Sequence, residues 1–383
     1  MSVRAFLRLS LLPSLLLAIG FLAKGDGFTQ SLIAPDDIGN HIAEIQGPRL
    51  GTGNEAQRAK LDDVAGYIHD QLAGDGLTVS EGPVTYSGYT FPNIVGTLRG
   101  TRCPETTFIV GAHYDSVAAG PGADDNASGV AGMLEIARLL SGRSFDASID
   151  FVAFPFEENG LIGSSRMAGD ARDADRELAG VLVLEMIGYT CDEPGCQRYP
   201  EGVPPPRPAG DFILVVGNTA SAPLLNRFSV AAASAVPSLP LIPLEVAGNG
   251  EALPDVRRSD HAPFWDTGYQ ALMISDTANF RNPNYHKASD SLDTLDLAFA
   301  ADVANAVAAT IEQRLTADED GNGLADVCGS NAIGGTVESP RTESSDSDDA
   351  NGWLLSAVLV GAVAMAAAVG GASLLAIRRR ARS

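Results

Sequence analysis

Apolar residues recur along this chain in two rhythms. From Asn54 to Gly76, Leu61, Val64, Ile68 and Leu72 fall on one face of a helical repeat and predict an amphipathic helix. Val130, Met133, Leu134, Ala137 and Leu140 repeat that spacing behind Asn126 and Ser128, both good N-cap types. Two other runs, Phe108–Val110 and Ile149–Phe154, are largely apolar, of strand composition, and end in polar residues. Val84–Tyr89 and Asn93–Arg99 read as strands leading to the first of these. Val181–Ile187, Phe212–Val216, Leu239–Leu244 and Ala271–Ile274 read as strands after the second, with helices at Gly163–Arg172, Ala222–Ala235 and Leu297–Leu315. Thr107–Ser165 thus runs strand, loop, helix, strand, loop, an α/β unit. Open sheets of that kind place their chemistry at the carboxyl ends of the strands.

Those ends carry candidate ligands. His113 closes the first strand, Asp115 follows two residues later, and Asp124 and Asp125 come after a Gly-Pro-Gly turn. Neutral imidazole is the commonest zinc ligand, and carboxylates complete such sites. The spacing lets Asp115 accept the other ring N–H of His113 and fix its tautomer. Glu157 and Glu158 follow the second strand directly. Adjacent carboxylates there point in different directions, so one can bind a metal while its neighbour reaches the metal's water as general base. An isolated Glu-Glu pair is usually a solvated loop; the His and Asp residues upstream change that weighting. Asp260 and His261, after the N-cap type Ser259, read either as supports of the site or as helix caps. His41 and His69 lie outside these blocks and read as structural.

Five pieces, GAHYDSV, PGADDNASG, PFEENGLIGS, LEMIGY and NPNYHKASDSLDT, occur in that order across roughly Asn93 to Leu315. In this the chain resembles the co-catalytic zinc exopeptidases of aminopeptidase Y, bacterial leucyl aminopeptidase and glutamate carboxypeptidase II. The resemblance implies a single three-layer α/β domain, with a mixed, largely parallel central sheet and helices on both faces. It implies two zinc ions, with His113 on one, Asp125 bridging both, and Glu158 and His286 on the second. Glu185 takes the fifth ligand position, where the commoner family pattern has Asp; Asp192 is a fallback. Glu157 becomes the general base acting on a water between the metals, and Tyr285 matches a tyrosine that in some members hydrogen-bonds the oxyanion. Asp290 is expected to orient His286. The implied reaction is hydrolysis of a peptide bond next to a free amino terminus. Two alternatives are a single-zinc enzyme of the glutaminyl cyclase branch and a catalytically idle receptor or adhesion ectodomain.

The ends bear on location. Arg4 and Arg8 precede the apolar run Leu9–Ala23, so residues 1–24 read as a signal peptide or anchor and 25–315 as the catalytic domain. In residues 316–329, Asp318, Asp320, Asn322 and Asp326 have the spacing of a calcium loop, although Gly329 stands where its bidentate Glu belongs. Residues 330–352 form an acidic Ser- and Asp-rich stalk, 353–377 an uncharged run long enough to span a bilayer, and 378–383 a basic tail. Excess arginine favours the cytoplasmic side, which turns the catalytic domain outward, either anchored or released after tail processing.

Composition agrees with export. The formal net charge of −22 argues against nucleic acid as a partner. Of the four cysteines, Cys191 and Cys196 bracket a turn and are expected to be joined. Cys103 and Cys328 remain, and nothing in the sequence brings them together. The catalytic domain is expected to be monomeric, with peptide as substrate and the bilayer met only through the C-terminal helix.

Overall fold

The computed structural model describes residues 32–200 and 206–329. The signal, stalk, membrane span and basic tail expected from the sequence lie outside the described residues. Among the described residues no helix is long and apolar enough to cross a membrane.

The chain begins with α1 (Pro35–Ile45) and α2 (Glu55–Gly74). Asn54 and Gln57 start α2 with reciprocal side-chain-to-backbone bonds of 3.0 Å. The hairpin β1 (Thr78–Tyr86) and β2 (Tyr89–Leu98) follows, then β3 (Cys103–His113), α3 (Gly129–Ser141), β4 (Ala147–Phe154), α4 (Ile162–Asp173) and β5 (Leu178–Leu184). The second half adds β6 (Ile213–Asn218), α5 (Ala222–Ala235), β7 (Leu241–Val246), α6 (Ala262–Asp266), β8 (Ala271–Ser275) and α7 (Leu297–Thr316).

All eight strands form one sheet in the order β1-β2-β4-β3-β5-β8-β6-β7. Its centre, β4-β3-β5-β8, is parallel. The hairpin joins β4 antiparallel at one edge, and at the other β6 lies antiparallel to β8 and parallel to β7. Alternate residues of each central strand feed two cores. Phe108, Val110, Phe151, Leu182 and Ile274 pack under α1, α2, α3, α5 and α7. Ile109, Val152, Val181 and Met273 face the other way, against Ala168 of α4 and Phe264 and Trp265 of α6. Burial on both faces is why these strands read as nearly continuous apolar runs. The fold is therefore the α/β sheet with helices on both faces that the sequence implied.

Three local expectations need correction. Val84–Tyr89 is not one strand: Ser87 and Gly88, both at positive φ, make the hairpin turn inside it. The helix α1 went unread, since Ile38, Ile42 and Ile45 give a short signal in only 11 residues. Ser128 does not cap α3 with its side chain; Asn126 Oδ1 accepts from Gly129 N at 3.1 Å instead.

Both cysteine pairs are disulfides. Cys103, at the start of β3, meets Cys328 across a sequence separation of 225 residues, which ties the C-terminal end of the domain to its central sheet. The double substitution C103S/C328S is expected to cost about 2–5 kcal/mol, read from denaturant unfolding of the two proteins. Unchanged stability would show that the bond closes no useful loop.

Candidate metal centre

The candidate ligands converge because their strands are neighbours. His113 ends β3, Glu157 and Glu158 follow β4, and Glu185 follows β5, three adjacent parallel strands whose carboxyl ends share one edge. Asp125 lies in the irregular turn 123–128 between β3 and α3, and its peptide bond to Asn126 is cis. His286 returns on the loop after β8.

Asp125 is the hinge of the geometry. Its Oδ1 lies 3.4 Å from His113 Nε2, and its Oδ2 lies 3.1 Å from His286 Nε2. Glu185 Oε2 is also 3.4 Å from His113 Nε2, and Glu158 Oε2 is 3.3 Å from His286 Nε2. Two ligand groups result, His113 with Glu157 and Glu185, and Asp125 with Glu158 and His286. Asp192 is exposed in the Cys191–Cys196 loop and belongs to neither.

Other side chains hold this arrangement. Asp115 Oδ1 and Oδ2 accept the backbone N–H groups of Glu157 and Glu158 at 3.0 and 3.3 Å, which locks the Glu-Glu loop onto β3. Its contact with His113 Nδ1 is 3.5 Å, too long for a good hydrogen bond. Asp290 was expected at His286, but its carboxylate accepts from Asp124 N at 3.0 Å and Asp125 N at 3.2 Å. It positions the backbone of Asp124 and Asp125 instead. Glu185 Oε2 accepts from Ser259 Oγ at 2.6 Å, so Ser259 steadies a ligand rather than capping a helix.

Tyr285 stacks on His286 with ring centroids 3.8 Å apart, and its hydroxyl accepts from Arg258 Nη2 at 2.9 Å. Asp260 is fully buried with neither oxygen hydrogen-bonded, and burial pushes it up to about 7, with His113 opposing the shift and Glu185 adding to it. His261 is turned away; its Nε2 donates to Val256 O at 2.7 Å and its ring meets Trp265 edge-on. His41 bonds Tyr67 and Glu135, and His69 sits beside Asp70 on the surface. The stretch RRSDH was the sequence signal for Ser259, Asp260 and His261, and Arg258 beside them went unread. Nothing comparable announced the buried Arg49, whose guanidinium lies behind the ligand loop.

Three non-glycine residues at the site have left-handed backbone. Phe156, Met186 and His286 adopt φ of 59°, 56° and 58°, next to Glu157, next to Glu185 and at a ligand itself. Such left-handed conformations cost about 1–3 kcal/mol each for residues with a Cβ and need surrounding structure to impose them. For Phe156 the imposition is visible: its ring is wedged between Phe91 and Tyr86, and a Cβ on Gly51 would come within 2.4 Å of it.

The donors fit zinc. Both ring nitrogens of His113 and Oε1 of Glu158 are buried without a hydrogen-bond partner, and imidazole plus carboxylate is a zinc donor set. Carboxylates outnumber imidazoles in this cluster. Burial alone would lower His286, yet Asp125 and Glu158 raise it to about 10. His113 is likewise raised against burial, chiefly by Glu157 and Glu185. A cation binds the deprotonated imidazole, so carboxylates that favour the protonated ring make zinc affinity expected to rise with pH. Zinc titrations in buffers of different ionisation heat are expected to show net proton release. Binding without proton release would mean that these imidazoles are not the ligands.

The acidic loop expected to take calcium is separate from this centre. Asp318, Asp320 and Asp326 do converge. Their oxygens accept the backbone N–H groups of Asn322, Gly323 and Glu319, at 2.8–3.1 Å.

Peptidase family M28 matches the chain over residues 93–311, more than half its length. The chain belongs to that family. A relative of this M28 peptidase, the uncharacterised protein YfbL of Escherichia coli K12, is 35% identical over 261 residues, 64% of this chain and 78% of its own. A probable zinc metalloprotease of Pyricularia oryzae is 30% identical over 288 residues, 63% of this chain and 53% of its own. The chain thus spans about half the length of that relative and of similar fungal ones. Among solved structures, the Legionella pneumophila LapA aminopeptidase matches with a TM-score of 0.58 at 21% identity, over 75% of this chain and 73% of its own. Porphyromonas gingivalis glutaminyl cyclase matches with a TM-score of 0.56 at 20% identity, over 74% and 99%. At these identities the likeness is one of fold. Family membership places the chain among the M28 peptidases, and the Pyricularia oryzae relative is described as a probable zinc metalloprotease.

Proposed function

We propose that this M28 peptidase is an exported aminopeptidase that removes residues from free amino termini with two zinc ions sharing Asp125. The observation that carries the reading is the Asp125 carboxylate, which offers one oxygen toward His113 and the other toward His286. Glu185 completes one site and Glu158 the other. Bound there, zinc would polarise the scissile carbonyl and make a water acidic enough to attack near neutral pH.

The chain's own residues do the rest. Glu157 is the proton carrier, taking a proton from the attacking water and delivering it to the leaving amine. Burial raises its carboxyl well above the ordinary range; His113 opposes that shift, and Glu185, Asp260 and Glu158 add to it. A base raised in this way can also return its proton as an acid. Tyr285 is the donor to the developing oxyanion in this reading, and the bond from Arg258 to its hydroxyl supports that by leaving the phenolic hydrogen free to donate.

Export and membrane attachment rest on the apolar run Leu9–Ala23, the uncharged run 353–377 with arginines behind it, and both cysteine pairs being oxidised. Product analysis on a peptide library tests the reaction. Stepwise release of N-terminal amino acids, blocked by acetylation and by a chelator, is expected; cleavage only at carboxyl ends or inside peptides would overturn it. Ring closure of N-terminal glutamine, with one zinc per chain, would point to the cyclase alternative.

A further inference from the structure

We propose that Arg49 is a positioning residue for the metal centre: it winds the loop between His113 and Asp125 so that both side chains reach one cation. Arg49 is completely buried, and every hydrogen bond of its guanidinium goes to a backbone carbonyl. Nε donates to Tyr114 O at 2.7 Å, Nη1 to Pro121 O at 2.6 Å and Gly47 O at 3.2 Å, and Nη2 to Gly122 O at 3.0 Å. Tyr114 adjoins His113, and Pro121 and Gly122 lead into Asp124 and Asp125. One side chain therefore grips the loop at both ends.

The backbone of Arg49 adds to that grip. Its N–H donates to Ser116 Oγ at 3.1 Å, and its carbonyl accepts from Ser116 N at 3.4 Å. The loop is shaped for this contact. Gly122 sits at φ 60°, and a Cβ there would lie 2.3 Å from Asp125 O and 3.2 Å from Arg49 Nη1.

Burying a guanidinium with no carboxylate bonded to it costs several kcal/mol unless its surroundings compensate. Compensation comes through space from Asp115, Asp125, Asp290 and Glu158, two of them candidate ligands and two that hold the ligand loops. Lysine would keep the charge, but its compact ammonium cannot fork to carbonyls on separate segments. Packing alone would be met as well by an apolar residue.

This inference rests on the two-zinc reading. The test is zinc affinity of the full chain, measured by chelator competition, for R49K and R49Q beside the unmodified protein. Thermal melts in chelator are the folding control. Both variants are expected to bind zinc about 10- to 100-fold more weakly, the usual loss when a support behind a ligand is removed, with lysine giving no full rescue. Unchanged affinity in R49Q, or full affinity in R49K, overturns the proposal. Should neither variant fold, S116A reports instead; it removes the hydroxyl that accepts from the Arg49 backbone and leaves the charge in place. A several-fold loss is expected there, and unchanged affinity overturns the proposal. An unmodified protein that holds no zinc pair would instead sink the parent reading.

Discussion

Glu157→Gln is expected to keep its zinc and lose about 100- to 10,000-fold in kcat. Glutamine matches glutamate in size, so the backbone bond from residue 157 to Asp115 survives and the Glu-Glu loop keeps its place. What disappears is the basic oxygen. The loss corresponds to about 3–5 kcal/mol of transition-state stabilisation, and it should fall on kcat more than on KM, because Glu157 acts on the proton in flight rather than on the bound peptide. Metal analysis of the same sample separates the two ways of failing. A variant that keeps both zinc and activity within tenfold of the unmodified enzyme removes Glu157 as the base, whereas one that has lost its zinc would make Glu157 a ligand. The second outcome is a real alternative, since Glu157 lies within ligand reach of His113 and Glu185.

The second large effect is expected at Asp125. Replacing a terminal ligand should empty one position, but Asp125→Ala should weaken both, because each of its oxygens faces a different imidazole. Zinc content is expected to fall below one ion per chain, with affinity lowered by more than about 100-fold and turnover lost along with it. His286→Ala, by contrast, should spare the His113 and Glu185 side. If Asp125→Ala and His286→Ala leave the same residual zinc, the carboxylate is not shared. The effect should exceed anything seen at Asp290, which holds only the backbone of Asp124 and Asp125.

Much of this centre was legible in the sequence because each ligand either ends a strand or follows one. His113 and Glu158 mark where apolar runs stop, whereas Glu185 stood inside the run Val181–Ile187 and was legible only through its motif; parallel neighbours carry all three to one edge. Asp125 and His286 were legible only as parts of longer motifs, since nothing in the spacing shows that a loop after the last strand returns across the site. The supporting contacts were not legible. Asp290 was assigned to the nearest histidine in sequence, yet its oxygens meet backbone N–H groups more than 160 residues away. Side-chain-to-backbone bonds of that range leave no periodic trace. Ser259 has the composition of an N-cap and is used on Glu185 instead. Arg49 sits in a loop of ordinary composition, and only its complete burial marks it out. The left-handed turns at Phe156, Met186 and His286 are likewise silent, because the residues there are not the glycines that usually announce such backbone.

The central claim is that one carboxylate is shared between two cations. Crystals of the zinc-loaded protein, with anomalous scattering recorded on both sides of the zinc edge, test it most directly. Two peaks are expected, one among His113, Asp125 and Glu185 and one among Asp125, Glu158 and His286, with an Asp125 oxygen facing each. A single peak, or two peaks with Asp125 touching only one of them, would contradict the account.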